Sequence, residues 1–160
     1  MLIALLSIAW GGGCNLASLT SQMNTLEADL AQRWWAVEEQ ARRVERELLC
    51  VKEPVDFQTV FRLHEQLAVA AHIRKDFDTS AKHLVARWLS YPLAPFPAGI
   101  PTTSPARGRY AALQEKILAN SAVVRLEHPA SVDGHLADWV FAELPMIVQE
   151  PGKKPRIPTK

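Results

Sequence analysis

The feature that most constrains this chain is a run from residue 16 to residue 52 that contains neither proline nor glycine. Apolar residues recur through it at steps of three and four, as on one face of a helix. One extra residue enters the stripe between Leu30 and Trp34, and a continuous helix can absorb such a shift. The pattern predicts a single helix of about 35 residues. Its apolar stripe consists of Leu16, Leu19, Met23, Leu26, Leu30, Trp34, Val37, Ala41, Val44 and Leu48.

A second stripe with the same spacing follows a short break in the pattern. Asp56 is a natural N-cap, and the stripe runs from Phe57 to Tyr91 before it ends at Pro92. Two long helices joined by a short turn run antiparallel, so that each covers the apolar stripe of the other. The sequence therefore predicts a long antiparallel helical hairpin over residues 15–92.

The rest of the chain is divided by proline-rich segments. Residues 93–106 are predicted to form a Pro/Ser-rich linker, and residues 107–150 a pair of short helices, the second of which begins at residue 132. The basic, proline-rich residues 151–160 are expected to be a mobile tail. The predicted fold class is all-α, with the long hairpin extended by the two shorter helices into an elongated bundle.

The first fourteen residues resemble an anchor or an export signal. The nine apolar residues Leu2–Trp10 are too few to span a bilayer, which takes about 20, but they suit the apolar region of a secretory signal. Three glycines and Cys14 follow, so Cys14 is a candidate for lipid attachment. The alternative is a buried apolar N-terminal segment. One straight helix would hold Cys14 about 50 Å from Cys50, so no disulfide is expected between them.

Charge and motif content argue against several classes of function. Eighteen basic residues balance seventeen acidic ones, which disfavours a dedicated nucleic-acid binder. The five histidines lack the Glu-x-x-His pairs of a di-metal bundle site and are expected to be solvated or at the edge of a stripe. The serines lack a nucleophile elbow, and the paired carboxylates Glu38 and Glu39 belong to a charged helix face. The sequence predicts no enzyme, no metal site and no cofactor.

Exposed aromatic residues are the candidates for contacts with a partner. Trp34 lies on the first stripe and is expected in the core, whereas Trp35 projects about 100° away around the helix. Trp35, Trp139 and Phe141 are therefore predicted partner contacts, with a protein or a membrane interface as the partner. The alternative for Trp35 is packing against the third helix of the chain.

A buried charge could set the register of the hairpin. Arg74 falls within the second stripe, where its guanidinium could pair with Glu38 or Glu45 of the first helix. Such a pair would specify the alignment of the two helices more than it would stabilise them.

Two spaced signatures resemble the LemA family of bacterial envelope proteins. The second helix carries Arg74, Phe77-Asp78, Ala81, Leu84, Trp88 and Tyr91-Pro92, in the order and spacing of that family's final helix. The first helix carries Trp34, Val37, Glu38 and Gln40, similar to the family's Trp-x-x-Val-Glu-x-Gln stretch, and Gly13-Cys14-Asn15 resembles the anchoring sequence of many members. The resemblance covers residues 15–92. It implies a membrane-tethered helical envelope protein, with no known catalytic residues to carry over.

These features together predict a non-enzymatic, membrane-associated helical protein that acts as a scaffold or assembly element in a bacterial envelope. It would bind a protein partner, or a second copy of itself, through its helix faces. The alternative is a soluble helical subunit of a larger multiprotein complex. In that case the apolar N-terminal and C-terminal segments would be buried against neighbouring subunits.

Overall fold

A computed structural model describes residues 14–119 and 123–158. Within these residues the chain forms five helices and one three-stranded sheet, so the all-α prediction is wrong and the fold is mixed α/β. The predicted anchor in residues 1–13 lies outside the described residues. The elements are α1 (Leu16–Gln32), α2 (Val37–Leu48), α3 (Phe57–Ile73), α4 (Phe77–Ser90), α5 (Pro105–Leu118), β1 (Val123–Val132), β2 (His135–Phe141) and β3 (Val148–Gln149).

The predicted first long helix is two antiparallel helices. α1 ends at Gln32 and α2 begins at Val37, so the break coincides with the extra residue that shifts the apolar stripe. Because α2 folds back along α1, each of the two helices covers the apolar stripe of the other. A second helix of about 50 Å is not needed to cover the stripe. Seven of the ten predicted stripe residues are buried, and Leu16 and Leu30 are partly buried. The seven are Leu19, Met23 and Leu26 in α1, and Val37, Ala41, Val44 and Leu48 in α2.

The predicted second long helix is likewise two helices. α3 begins after Asp56, whose carboxylate accepts hydrogen bonds from the backbone amides of Gln58 and Thr59. It ends before Lys75, whose φ of 62° lies in the left-handed region that commonly closes a helix. Asp76 then caps α4 by accepting from the amide of Thr79 at 3.1 Å. Lys75 and Asp76 therefore end one helix and begin the next, although the apolar stripe itself continues past them.

The predicted fourth helix is a β-hairpin. Strands β1 and β2 pair antiparallel, and β3 pairs with the other edge of β1, in the order β2-β1-β3. The two strands are joined at Asp133 and Gly134, which have φ values of 47° and 81°. Positive φ at both positions is the signature of the two-residue type I′ turn, for which Asp-Gly is a preferred sequence. The third helix of the prediction is present as α5, and it ends at Leu118.

The last described residues fold against the sheet. Val148 and Arg156 exchange two backbone hydrogen bonds of 2.8 Å, and Pro155 is buried. The free edge of a short strand thus offers backbone partners to residues 151–158, and the mobility of this tail stays a prediction.

The apolar core has two main parts. One lies between α1, α2 and α3, and the other between α4, α5 and the sheet, with Val85, Ile117, Val132 and Val140 among its buried residues. The helices thus pack as short pairs beside a sheet, which corrects the prediction of a coiled coil. In the described part of the chain, no helix has the length and apolar character needed to cross a bilayer.

Candidate functional site

A pair of histidines is buried between α3 and α4. His64 is 1% exposed and His83 is 5% exposed. Their Nδ1 atoms are 3.0 Å apart, within hydrogen-bonding distance. The expectation that the histidines would be solvated is wrong for these two, because the turn after α3 folds α4 back and sets His83 opposite His64.

Asp133 in the hairpin turn completes the buried group. Its Oδ1 lies 3.3 Å from Nε2 of His64 and also accepts a 2.7 Å hydrogen bond from the amide of Ile147. Its Oδ2 is buried and has no hydrogen-bond partner among the described residues. The left-handed backbone of Asp133 is one that aspartate tolerates because its short polar side chain can bond locally.

Gly134 allows this turn to approach α3. A Cβ on Gly134 would lie 2.4 Å from the backbone nitrogen of Phe57, closer than any real contact. Glycine is therefore required both for the positive φ and for the close approach. The approach brings Asp133, next to Gly134 in the turn, against His64 of the same helix.

The contacts of the two rings are compatible with a neutral histidine pair whose protons alternate along the group. An ionised Asp133 can only accept, so Nε2 of His64 carries the proton that it donates to the carboxylate. A neutral His64 then has an unprotonated Nδ1, which accepts from Nδ1–H of His83. In this neutral arrangement Nε2 of His83 is unprotonated. Burial is the largest cause that lowers the pKa of His83 well below its ordinary value, and it favours the neutral form of His83.

His83 lines a surface cavity of about 480 Å³. No described residue makes a hydrogen bond to its Nε2, so this nitrogen is the acceptor that the histidine pair leaves for the cavity. The cavity combines this neutral acceptor with a hydroxyl, charged side chains and several apolar residues. Its other lining residues are Thr79, Lys82, Ala142, Glu143, Leu144, Pro145, Ile157 and Pro158.

Metal-binding residues do not converge on this group. In residues 14–119 and 123–158, the one set of three potential ligands close enough for a single ion is Cys14, Glu47 and Cys50. Both cysteine sulfurs in that set are already bonded to each other.

Cys14 and Cys50 form a disulfide, with their Cα atoms 5.3 Å apart. The prediction that they could not meet is wrong because it assumed one straight helix. The turn between α1 and α2 instead brings the ends of the two helices together. A sulfur in this disulfide cannot also carry a lipid, so the bond and the candidate lipid attachment at Cys14 exclude each other.

Trp34 and Trp35 both lie in the turn between α1 and α2. They are 69% and 66% exposed, and their rings pack edge to face with centroids 6.1 Å apart. The core position expected for Trp34 is wrong, because the helix ends before it and the stripe resumes only at Val37.

The other predicted aromatic contacts lie on β2. Trp139 is 39% exposed, whereas Phe141 is buried in the second part of the core. Their ring centroids are 5.2 Å apart. The expectation that Phe141 contacts a partner is wrong, since its ring already packs inside the chain.

Arg74 does not form the predicted ion pairs in the described structure. Glu38 instead pairs with Arg42 at 2.5 Å. Burial raises the pKa of Glu45, and the charges of Arg74 and Arg42 partly oppose this effect. Arg74 itself is exposed at the end of α3, so it influences Glu45 through its charge without a direct pair.

A buried arginine that joins two helices is Arg87, which the sequence pattern did not single out. Its side chain on α4 is buried and bonds Glu65 of α3 at 2.7 Å. It also donates to the backbone oxygen of Pro95 at 2.8 Å, and its guanidinium lies 4.4 Å from the centre of the Phe61 ring. One feature of the sequence could have indicated this role: the charged residue Arg87 lies on the apolar side of the second stripe.

The chain matches no protein-family model, no curated protein and no solved structure. The resemblance to the LemA family stays a prediction. The fold defines a disulfide-bonded α/β domain with a buried histidine pair beside a cavity and two tryptophans on an exposed turn.

Proposed function

We propose that this chain is a non-enzymatic domain of an extracytoplasmic assembly, which binds a protein partner through Trp34 and Trp35. The observation that carries the proposal is the exposure of about two thirds of each side chain, at adjacent positions on one turn. Tryptophan is among the residues most enriched at the energetic centres of protein interfaces. The two indoles define the contact surface, called here the tryptophan turn.

The apolar area of the tryptophan turn is large enough to drive association. A tryptophan buries roughly 150–250 Å² when covered, so enclosing the exposed parts of both rings is worth on the order of 5 kcal/mol before the costs of binding. Their edge-to-face contact also limits the rotamers that each ring can adopt. Less side-chain entropy is then lost when a partner encloses them.

The charges around the tryptophan turn favour an apolar pocket on the partner. Arg33 pairs with Asp29 at 2.5 Å, and Arg42 pairs with Glu38 at the same distance. These charges are satisfied within the chain, so the turn offers indole rings with little net charge. The proposed partner is a protein that receives the rings in an apolar pocket, and its binding should depend weakly on salt.

The disulfide supports a location outside the cytoplasm. Structural disulfides persist in oxidising compartments such as the periplasm and are rare in the cytosol. The apolar segment Leu2–Trp10, which lies outside the described residues, has the length of a secretory signal's apolar region. We therefore propose that the assembly lies in an oxidising compartment, and the resemblance to the LemA family favours the bacterial envelope. The subunit alternative expected the C-terminal apolar segment to need a neighbour, but its Val132, Leu144 and Val148 are buried within the chain itself.

The test replaces both tryptophans with serine in the full chain. A photo-crosslinking residue at position 36 would identify the protein that touches the turn in the native host, and the purified pair would then be measured by calorimetry. W34S/W35S should weaken that binding at least 100-fold while the thermal unfolding midpoint changes by no more than a few degrees. The matched control is Leu93→Ser, since Leu93 is 86% exposed on the loop after α4 and its replacement should leave the affinity unchanged. Equal binding by W34S/W35S and the native chain would reject the proposal.

A further inference from the structure

We propose that the cavity beside His83 is a binding site for a small ligand that combines an apolar body with a hydroxyl group. The hydroxyl donates a hydrogen bond to Nε2 of His83. The site lies between α4, the loop after β2 and the C-terminal residues 157–158, it includes neither Trp34 nor Trp35, and it does not depend on the proposed partner.

The acceptor at the cavity is set by residues that the ligand never touches. In the proposed state His64 is neutral: its Nε2–H donates to Asp133, and its Nδ1 accepts from Nδ1–H of His83. Both hydrogen bonds are formed by side chains that are at least 95% buried, so water does not compete for them. Nε2 of His83 therefore has a lone pair and no proton, and it recognises donors only.

The walls of the cavity determine the rest of the ligand. Leu144, Pro145 and Ile157 supply apolar contact opposite α4. Thr79, one helical turn before His83, adds a hydroxyl on the same face of α4. Pockets of this volume with apolar walls and few polar groups suit small organic molecules, whose orientation the polar groups determine. An apolar ring or chain that carries one hydroxyl satisfies both the walls and His83.

The first measurement reads the protons directly. Long-range proton–nitrogen correlation spectra of the ¹⁵N-labelled, disulfide-bonded chain at neutral pH distinguish the two neutral forms of a histidine. We expect His83 to carry its proton on Nδ1, the opposite of the form that a free neutral histidine favours. A proton on Nε2 of His83 would overturn the proposal, because that nitrogen could then not accept from a hydroxyl.

The second measurement compares two probes that differ in a single donor. Phenol and anisole present the same ring, but anisole has a methyl group in place of the hydroxyl proton. Phenol should shift the ring signals of His83 and bind about tenfold more tightly than anisole, as expected for one hydrogen bond of roughly 1.4 kcal/mol. The exposed His128 and His135 are controls in the same spectrum and should not move. Equal binding of the two probes, or no binding of phenol, would contradict the proposal.

Two matched variants on α3 separate the relay from general damage to the fold. His64→Leu removes the acceptor for Nδ1 of His83, so the proton of His83 should move to Nε2 and the preference for phenol should disappear. His72→Leu alters a histidine two turns away that bonds Ser104, and both properties should be kept. A phenol preference that survives in a folded His64→Leu protein would show that the relay does not set the acceptor. If His64→Leu does not fold, the proton position and the probe comparison in the native chain still decide the question.

Discussion

Asp133 and Ile147 are joined by two hydrogen bonds. The amide of Asp133 donates to the backbone oxygen of Ile147 at 2.9 Å, and the amide of Ile147 donates to the Asp133 carboxylate at 2.7 Å. This pair ties the hairpin turn to the segment that enters β3. It also orients the carboxylate toward His64, so one turn residue holds both the sheet and the buried histidine pair.

The hairpin turn should not tolerate any side chain at Gly134. We expect Gly134→Ala to lower the free energy of unfolding by about 3 kcal/mol or more, because its methyl group would collide with the backbone of Phe57 at a positive φ. Urea unfolding followed by circular dichroism would measure the change. Gly152→Ala is the matched control, since Gly152 has a φ of 71° but nothing within 4 Å, and about 1 kcal/mol is expected there. Equal losses in the two variants would show that the close approach to α3 is unimportant.

The disulfide should contribute substantially to the stability of the α1–α2 pair. Cys14 and Cys50 are separated by 36 positions, and closing a loop of that size in the unfolded chain is worth about 4 kcal/mol. The double variant C14S/C50S should lose approximately that amount in urea unfolding, and it leaves no unpaired thiol. Intact mass spectrometry of the native chain, with and without reductant, checks the bond itself. A mass that shows a lipid on Cys14 would rule this disulfide out.

The free energy of unfolding should decrease as the pH is lowered through the range where histidines titrate. The folded-state pKa of His83 lies below the ordinary 6.5, so at lower pH the unfolded chain binds a proton that the folded chain does not. The stability contributed by neutral His83 is therefore complete above about pH 6.5 and declines below it, by up to about 1.4 kcal/mol per pH unit, until the folded pKa is reached. Unfolding free energies at pH 7.5, 6.5 and 5.5 would measure this slope.

His83→Gln provides the control for that slope, which should be shallower in the variant. Asp56 and Asp76 do not interfere, because hydrogen bonds from Thr59 and Thr79 lower their pKa values below the ordinary 3.8. Their contribution is present above that pH and is lost only as the pH falls through still lower values. A native chain whose stability is unchanged from pH 7.5 to 5.5 would be inconsistent with a buried, neutral His83.

Arg87 should matter far more than an exposed arginine with similar contacts. Arg87→Met removes a buried guanidinium that joins Glu65 to the Pro95 carbonyl, and we expect a loss of about 2–4 kcal/mol. Arg109→Met is the matched control, because Arg109 also pairs with a carboxylate and lies over a ring, but its side chain is 46% exposed. The control should lose less than about 1 kcal/mol in the same thermal and urea unfolding measurements. Similar losses in the two variants would mean that burial of Arg87 adds nothing.

Part of the site could have been predicted from local sequence. Asp133-Gly134 is a strong hairpin signal, and the β-branched residues Val123, Val124 and Val132 favour strands over the predicted helix. Asp76 is a capping residue inside the second stripe, and it marks the start of α4. The apolar spacing outweighed these signals because residues at steps of three and four satisfy a helix template even where the chain turns.

The sequence by itself predicted most of the buried residues of each helical stripe, although Trp34, Phe57 and Tyr91 are exposed, and it located the cap at Asp56. Periodicity could do this because it reports which face of a local segment is apolar. It does not report what covers that face, so the tertiary structure alone decided that the long stripes fold back at residues 33–36 and 74–76. The contacts between Cys14 and Cys50, and between His64 and Asp133, follow from those reversals, since they join residues 36 and 69 positions apart.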